Sequence, residues 1–253
     1  MKAEYKKDYR VTYTEVDKNT NLSLPNALSL VQNTMTEYFE SFGSDNMILK
    51  NENNAIWVVS KAKMHFYKAP KWRDLLKGRS YTTKVKPIRV ELETTFMNEN
   101  DEIWFSVAQE TCVIDLDTRK IRKVNSVNYP ANMETENSVI GYDYRKLTQE
   151  FDESNFVYKQ KIYSTDIDYS KHTNNVMYTK YIINSIGNDF LDKIQITDFE
   201  IHYINESVEN QILKIYKKVK NDEIDFLIKE ENKGKEIVRA NLKYKKCGEK
   251  SDI

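Results

Sequence analysis

The chain has 253 residues, of which 40% are hydrophobic and 31% charged, with only six glycines and four prolines. This composition excludes a disordered or collagen-like polymer and leaves room for one large domain or two smaller ones. Lysine plus arginine and aspartate plus glutamate both number 39, a balance that argues against a general nucleic-acid binder. No stretch approaches the roughly 18 uninterrupted apolar residues of a membrane helix. The opening Met1-Lys2-Ala3-Glu4-Tyr5 lacks the apolar core of a secretory signal, so a cytoplasmic protein without a membrane partner is expected. Cys112 and Cys247 lie far apart in unlike contexts, which points to two free thiols.

In chain order, residues 4–15 alternate enough to predict a strand, and Ser23-Leu24-Pro25 then opens a helix with a capping residue and an early proline. Leu28, Val31, Met35, Tyr38 or Phe39, and Phe42 recur at helical spacing until Gly43 ends the pattern. Strand patterns follow at 56–67, 75–86, 89–97 and 103–115, the last two joined by Asn98-Glu99-Asn100-Asp101-Glu102. After a polar connection the order returns: strand 157–164, helix 173–187, and strands near 195–204, 211–219, 223–230 and 235–244.

The recurrence reads as an internal duplication. Laying Tyr9 on Tyr158 places Asp17 on Asp166 and Asn26 on Asn175, while laying His65 on His202 carries Leu75-Leu76 onto Ile212-Leu213. Two copies of strand, helix and four strands imply an α+β chain of two tandem units, each a long helix packed on a curled antiparallel sheet. The expected division is a first unit over 1–130, a linker over 131–156 and a second unit over 157–253.

The copies differ most at the connection from strand to helix. In this register Asp168, Ser170 and His172 of the second half face Asn19, Asn21 and Ser23 of the first, and Glu206 faces Ala69. Two carboxylates and an imidazole can activate water or attack a carbonyl near neutral pH, and a helix amino terminus can hold a developing oxyanion, so acyl-bond hydrolysis fits. The plainer reading is a loop whose Asp, Ser and Asn side chains only satisfy backbone donors. Ionisable side chains confined to one copy weigh against it. The glycines form neither a phosphate-cradling loop nor a nucleophile elbow. Asp166, Asp168 and His172 match no established metal-site spacing, so no metal and no cofactor are expected. His202, repeated as His65, reads as a strand residue.

The run Asp168-x-Ser170-x-His172-x-Asn174-Asn175-x-x-Tyr178 resembles the Asp-x-Asn-x-His-x-Asn-Asn-x-x-Tyr signature of the acyl-acyl carrier protein (acyl-ACP) thioesterases. Ile56-Trp57-Val58-Val59-Ser60 and Pro70-x-Trp72-x-Asp74 resemble that family's first-half segments, and Glu206 falls where the family has its catalytic glutamate. The resemblance implies a double hotdog whose first unit holds the acyl chain and whose second is catalytic. The implied reaction is hydrolysis of fatty acyl thioesters from the phosphopantetheine arm of acyl carrier protein. It assigns catalysis to Asp168, Ser170, His172 and Glu206, with backbone N–H groups near Asn174 and Asn175 binding substrate oxygen.

That carrier is acidic, which suits a basic stretch comprising Lys61, Lys63, Lys68, Lys71, Arg73, Lys77, Arg79, Lys84, Lys86 and Arg89, and a cluster at Arg119, Lys120, Arg122 and Lys123. Lysines solvated on outward strand faces would read the same way. Two positions depart from the family: Ser170 replaces the usual Asn, and Ser207 follows Glu206 where plant relatives have cysteine, which excludes a thiol nucleophile there. An acyl-coenzyme A thioesterase of the same fold and a non-catalytic acyl-binding module remain the alternatives. A homodimer is also left open.

Overall fold

The computed structural model describes residues 4–135 and 137–247, so Met1-Lys2-Ala3 of the opening segment and Gly248 lie outside it. The chain divides at Tyr144/Arg145 into two compact units.

The first unit comprises β1 (Glu4–Arg10), α1 (Leu24–Glu40), α2 (Asn46–Asn53), β2 (Ala55–Phe66), β3 (Leu75–Lys86), β4 (Arg89–Met97), β5 (Ile103–Asp115) and the short β6 (Ile121–Arg122). Its strands run in the order β1-β3-β4-β5-β2, with β6 beside β5, and every neighbouring pair is antiparallel. The α1 helix begins as the sequence predicts, with Ser23 as N-cap and Pro25 in the first turn. It lies against β1, β3 and β4. The spaced apolar residues Leu28, Val31, Met35, Tyr38, Phe39 and Phe42 are all buried, so the 3.6-residue period does report the core face.

The strand expected over 4–15 stops at Arg10, and residues 13–15 turn into a 3-10 helix because Glu15 bonds back to the Thr12 amide. The α2 helix is absent from the periodicity reading. Its eight residues bury only Leu49, and an Asp45 cap accepting from the amides of Met47 and Ile48 starts it. In β3, Gly78 permits a close ring approach: a Cβ there would sit 2.9 Å from Tyr9 and 3.0 Å from Phe96.

At the carboxyl-terminal end of α1 the buried stripe joins an aromatic cluster. Phe39 stacks on Trp57 with centroids 5.1 Å apart, and Phe42 and Tyr129 meet this pair edge-on. A cleft of about 40 Å³ remains among Met35, Phe39, Asn46, Trp57 and Val59. By the same measure of volume a single water needs about 10–15 Å³, so it has room for a few waters. The outward face of β4 and β5 is not solvated. Glu93 is buried, accepting from Ser106 Oγ at 2.5 Å and from the Val139 amide at 2.8 Å. Lys63 donates to Ile140 O and Tyr144 to Ala108 O, so residues 139–144 cover the sheet.

The second unit comprises β7 (Phe156–Lys161), α3 (Asn175–Ile186), α4 (Asn188–Leu191), β8 (Ile194–Tyr203), β9 (Ile212–Lys220), β10 (Glu223–Glu230) and β11 (Glu236–Lys246). The order is β8-β11-β10-β9-β7, again antiparallel throughout. Here α3 buries Val176, Tyr178, Tyr181, Ile182 and Ile186 and lies against β7 and β9. Arg145 donates to Glu223 at 2.8 Å and to Asn241 at 2.5 Å, tying the segment before β7 to this sheet. Both units are thus one long helix on an antiparallel sheet, as the duplication requires.

Candidate active site

The loop from Ile167 to Thr173 is a tight hairpin. Its ends pair as a β-bridge, the Asp168 amide donates to His172 O at 2.9 Å, and the Lys171 amide donates to Asp168 O at 2.9 Å. Lys171 takes φ 65°, the left-handed conformation that lets the chain double back. Asn174 then caps α3, its side chain accepting from the Val176 amide at 2.9 Å.

This geometry corrects the register between the halves. In the first unit the Asp17 amide donates to Asn21 O, the Thr20 amide donates to Asp17 O, Thr20 has φ 64°, and Val16 bridges Leu22. Ser23 caps α1 just as Asn174 caps α3. Asp168, Ser170 and His172 therefore correspond to Asp17, Asn19 and Asn21, two residues away from the partners assigned by laying Tyr9 on Tyr158. The counterpart of Asp166 is Glu15, since each bonds back to the amide three residues earlier. The strand pairing of Tyr9 with Leu76 matches that of Gln160 with Leu213, so Tyr158 is not the structural partner of Tyr9.

Along β8 the sequence register holds: the Leu22 amide donates to Pro70 O where the Thr173 amide donates to Ser207 O, which keeps Glu206 opposite Ala69. The asymmetry between copies is thus narrower than expected. The loop carboxylate is present in both, and the imidazole and Glu206 belong to the second alone.

The hairpin brings the second-half residues into one line. Asp168 Oδ1 accepts from the Ser170 amide at 2.8 Å and from Ser170 Oγ at 2.6 Å. Ser170 Oγ lies 3.4 Å from His172 Nδ1, and His172 Nε2 lies 3.3 Å from Glu206 Oε2. A carboxylate only accepts, so the single Ser170 proton goes to Asp168 and its oxygen faces Nδ1 as acceptor. That orients the ring with Nε2 toward Glu206. The His172 and Glu206 side chains are 24% and 39% exposed, open to an incoming water or ester.

The helix start is less open than the resemblance suggests. The amides of Thr173, Asn174, Val176 and Met177 donate to Ser207 O, Asp166 O, Asn174 Oδ1 and Asn174 O. Among these neighbours Asn175, the first helical residue, retains the amide suited to an oxyanion.

Asp166 turns inward: it is buried, and its Oδ2 accepts from the Tyr163 amide at 2.9 Å. Among the described residues, no three His, Cys, Asp or Glu side chains form a group able to hold a metal. His202 lies in β8 and pairs with Glu200 at 2.8 Å, away from the loop chemistry. What sequence reasoning missed is a buried hydroxyl cluster behind the site, Thr173, Tyr178 and Ser207, whose members come from segments up to 34 residues apart.

Two profiles of one family match the chain, the acyl-ACP thioesterase N-terminal domain over residues 2–128 and its C-terminal domain over residues 145–246. Among solved structures, an acyl-ACP thioesterase from Bacteroides thetaiotaomicron VPI-5482 superposes with a TM-score of 0.87 at 16% identity, covering 96% of this chain and 98% of that one. The 12:0-ACP thioesterase from Umbellularia californica superposes with a TM-score of 0.85 at 16% identity, covering 97% and 95%. At such identities these likenesses establish the fold, a double hotdog, as the duplication and the resemblance had implied. No curated protein matches the chain significantly. With its two domain profiles spanning nearly the whole sequence, the chain belongs to the acyl-ACP thioesterase family.

Proposed function

We propose that this protein hydrolyses fatty acyl thioesters of acyl carrier protein, using Asp168, Ser170, His172 and Glu206 of the second unit. The observation that carries the reading is the unbroken line of contacts from Asp168 through Ser170 and His172 to Glu206. Water bonded to the open side of Glu206 and His172 loses a proton to this pair as its oxygen bonds to the thioester carbonyl carbon. The Asn175 amide, at the positive end of α3, faces the developing oxyanion. Collapse of the tetrahedral intermediate breaks the C–S bond, and the departing sulfur takes the proton from His172. Asp168 holds Ser170 and thereby the ring. Two donors on Asp168 Oδ1 weaken it as a nucleophile, which favours the water route over a transient anhydride.

For the carrier, most of the basic stretch is internally committed. Lys77 pairs with Asp101, Arg79 with Glu4, Lys86 with Glu91 and Arg89 with Glu110. At the β2–β3 turn, Lys68 and Arg73 instead lie over the rings of Trp104 and Trp72 with Lys71 beside them, all three cations exposed. This turn is the part of the stretch best suited to an acidic carrier.

The test is hydrolysis of acyl-ACP and acyl-coenzyme A panels by the wild type and by Asp168→Asn, His172→Ala and Glu206→Ala. Loss in all three supports the site, and full activity in all three would overturn it. Strong preference for acyl-coenzyme A would remove the carrier assignment, and no turnover of either thioester would leave an acyl-binding module. Oxygen-18 from solvent entering the Asp168 carboxylate in a single turnover would select the anhydride route.

A further inference from the structure

Behind half-buried His172 and exposed Glu206, the residue that follows each of them is buried. Thr173 is 4% exposed and Ser207 fully buried, and Tyr178, one turn into α3, is 2% exposed. Tyr178 OH lies 2.8 Å from Ser207 Oγ, Ser207 Oγ lies 2.9 Å from Thr173 Oγ1, and Thr173 Oγ1 donates to Ser207 O at 3.1 Å. The Thr173 amide donates to the same carbonyl at 2.9 Å.

Only one arrangement of the three protons satisfies these contacts: Thr173 donates to the Ser207 carbonyl, Ser207 to Thr173 Oγ1, and Tyr178 to Ser207 Oγ. Burial raises the Tyr178 pKa, so the phenol keeps its proton and remains a donor. The sister copy keeps only the backbone bond, from the Leu22 amide to Pro70 O. At the corresponding positions it has Leu22, Pro70 and Ala27, all buried and without a hydroxyl. An apolar packing therefore suffices for the fold at this junction, and the hydroxyls accompany the unit that carries the imidazole and Glu206.

We infer that Thr173, Ser207 and Tyr178 are positioning residues that clamp the His172 hairpin to the Glu206 segment and so hold the 3.3 Å contact between imidazole and carboxylate. The inference rests on the proposed roles of His172 and Glu206. Ser207 is the hub, because both other hydroxyls reach that segment through it. A base and acid allowed to drift by about 1 Å can lose about 100-fold in rate, so such a clamp acts on kcat rather than on substrate affinity.

The experiment measures kcat, KM and the pH profile of kcat for Ser207→Ala, Tyr178→Phe and the double variant, with thermal melting in parallel. Ser207→Ala is expected to lower kcat by about 10- to 100-fold with KM nearly unchanged, and to displace the pH profile. Tyr178→Phe should cost less, and the double variant should match Ser207→Ala alone, because the phenol acts through the serine. Ser207→Cys, which retains a weak donor, should recover part of the loss.

Ser80→Ala, which breaks the buried Ser80–Thr94 hydroxyl pair in the first unit, is the control: it should lower the melting temperature without moving the pH profile. Should Ser207→Ala fail to fold, Tyr178→Phe and Ser207→Cys carry the test. Wild-type kcat and pH profile in the folded variants, with only melting affected, would overturn the inference. If His172→Ala and Glu206→Ala are inactive while the clamp variants are normal, only the clamp fails. If those two are themselves active, the site reading fails first.

Discussion

Ser170 occupies the position where the family signature has asparagine, and the loop geometry makes its contribution calculable. Replacing it with alanine removes the 2.6 Å bond from its hydroxyl to Asp168 and the acceptor 3.4 Å from His172 Nδ1, while the 2.8 Å amide bond to Asp168 survives. A hydrogen bond to a charged group contributes about 1.5–3 kcal/mol, and each 1.36 kcal/mol is about tenfold in rate. The ceiling is therefore about 150-fold, and the surviving amide bond places the expected loss in kcat nearer about tenfold. Ser170→Asn should retain activity. The sister loop already carries asparagine at this place: the Asn19 amide donates to Asp17 at 2.8 Å, and the residue after it has φ 64° against 65° for Lys171. No backbone change is needed to admit the amide. The assay is steady-state hydrolysis of one acyl-ACP substrate by wild type, Ser170→Ala and Ser170→Asn, with melting curves to confirm folding. Alanine within about twofold of wild type, or asparagine as slow as alanine, would refute the argument that a polar link between Asp168 and the ring drives the rate.

Phe39→Ala removes a ring that is 3% exposed and stacked on Trp57. It should cost about 3–5 kcal/mol in denaturant unfolding. Burial, reinforced by Glu110, pushes the Cys112 thiol up to about 11, whereas Cys247 is exposed. A thiol reagent at neutral pH should label Cys247 quickly and Cys112 only after unfolding. The hydrogen bond from Arg145 holds Glu223 below its ordinary value of 4.5. Its contribution to stability is present above pH 4.5 and is lost as the pH falls through the lower folded value. Arg145→Met should flatten that acid limb in pH-dependent melting. Lys71→Glu with Arg73→Glu should lower kcat/KM for carrier-bound substrate and its salt sensitivity, leaving small thioester analogues untouched.

Much of the architecture is legible in the sequence, because it is written in local periods. The alternation over 75–86, 89–97, 103–115 and 223–230 marks strands with the same bounds in the structure, and Ser23-Leu24-Pro25 marks the start of α1 through its own cap. The motif around Asp168, Ser170 and His172 is equally local, since one tight hairpin holds all three. The α2 helix escaped because eight residues with a single buried side chain have no apolar stripe to read.

What only the tertiary structure decided depends on bonds between distant segments. The two-residue slip between the copies is invisible to residue matching, since identical tyrosines in β1 and β7 suggest the wrong alignment. It is settled by the long-range backbone bonds of Leu22 to Pro70 and Thr173 to Ser207. Those bonds also set Glu206 against His172 and bury three hydroxyls behind them. A chain dictates turns and faces through neighbours a few residues apart, whereas contact between positions 173 and 207 exists only once the strands have paired and the helix has docked.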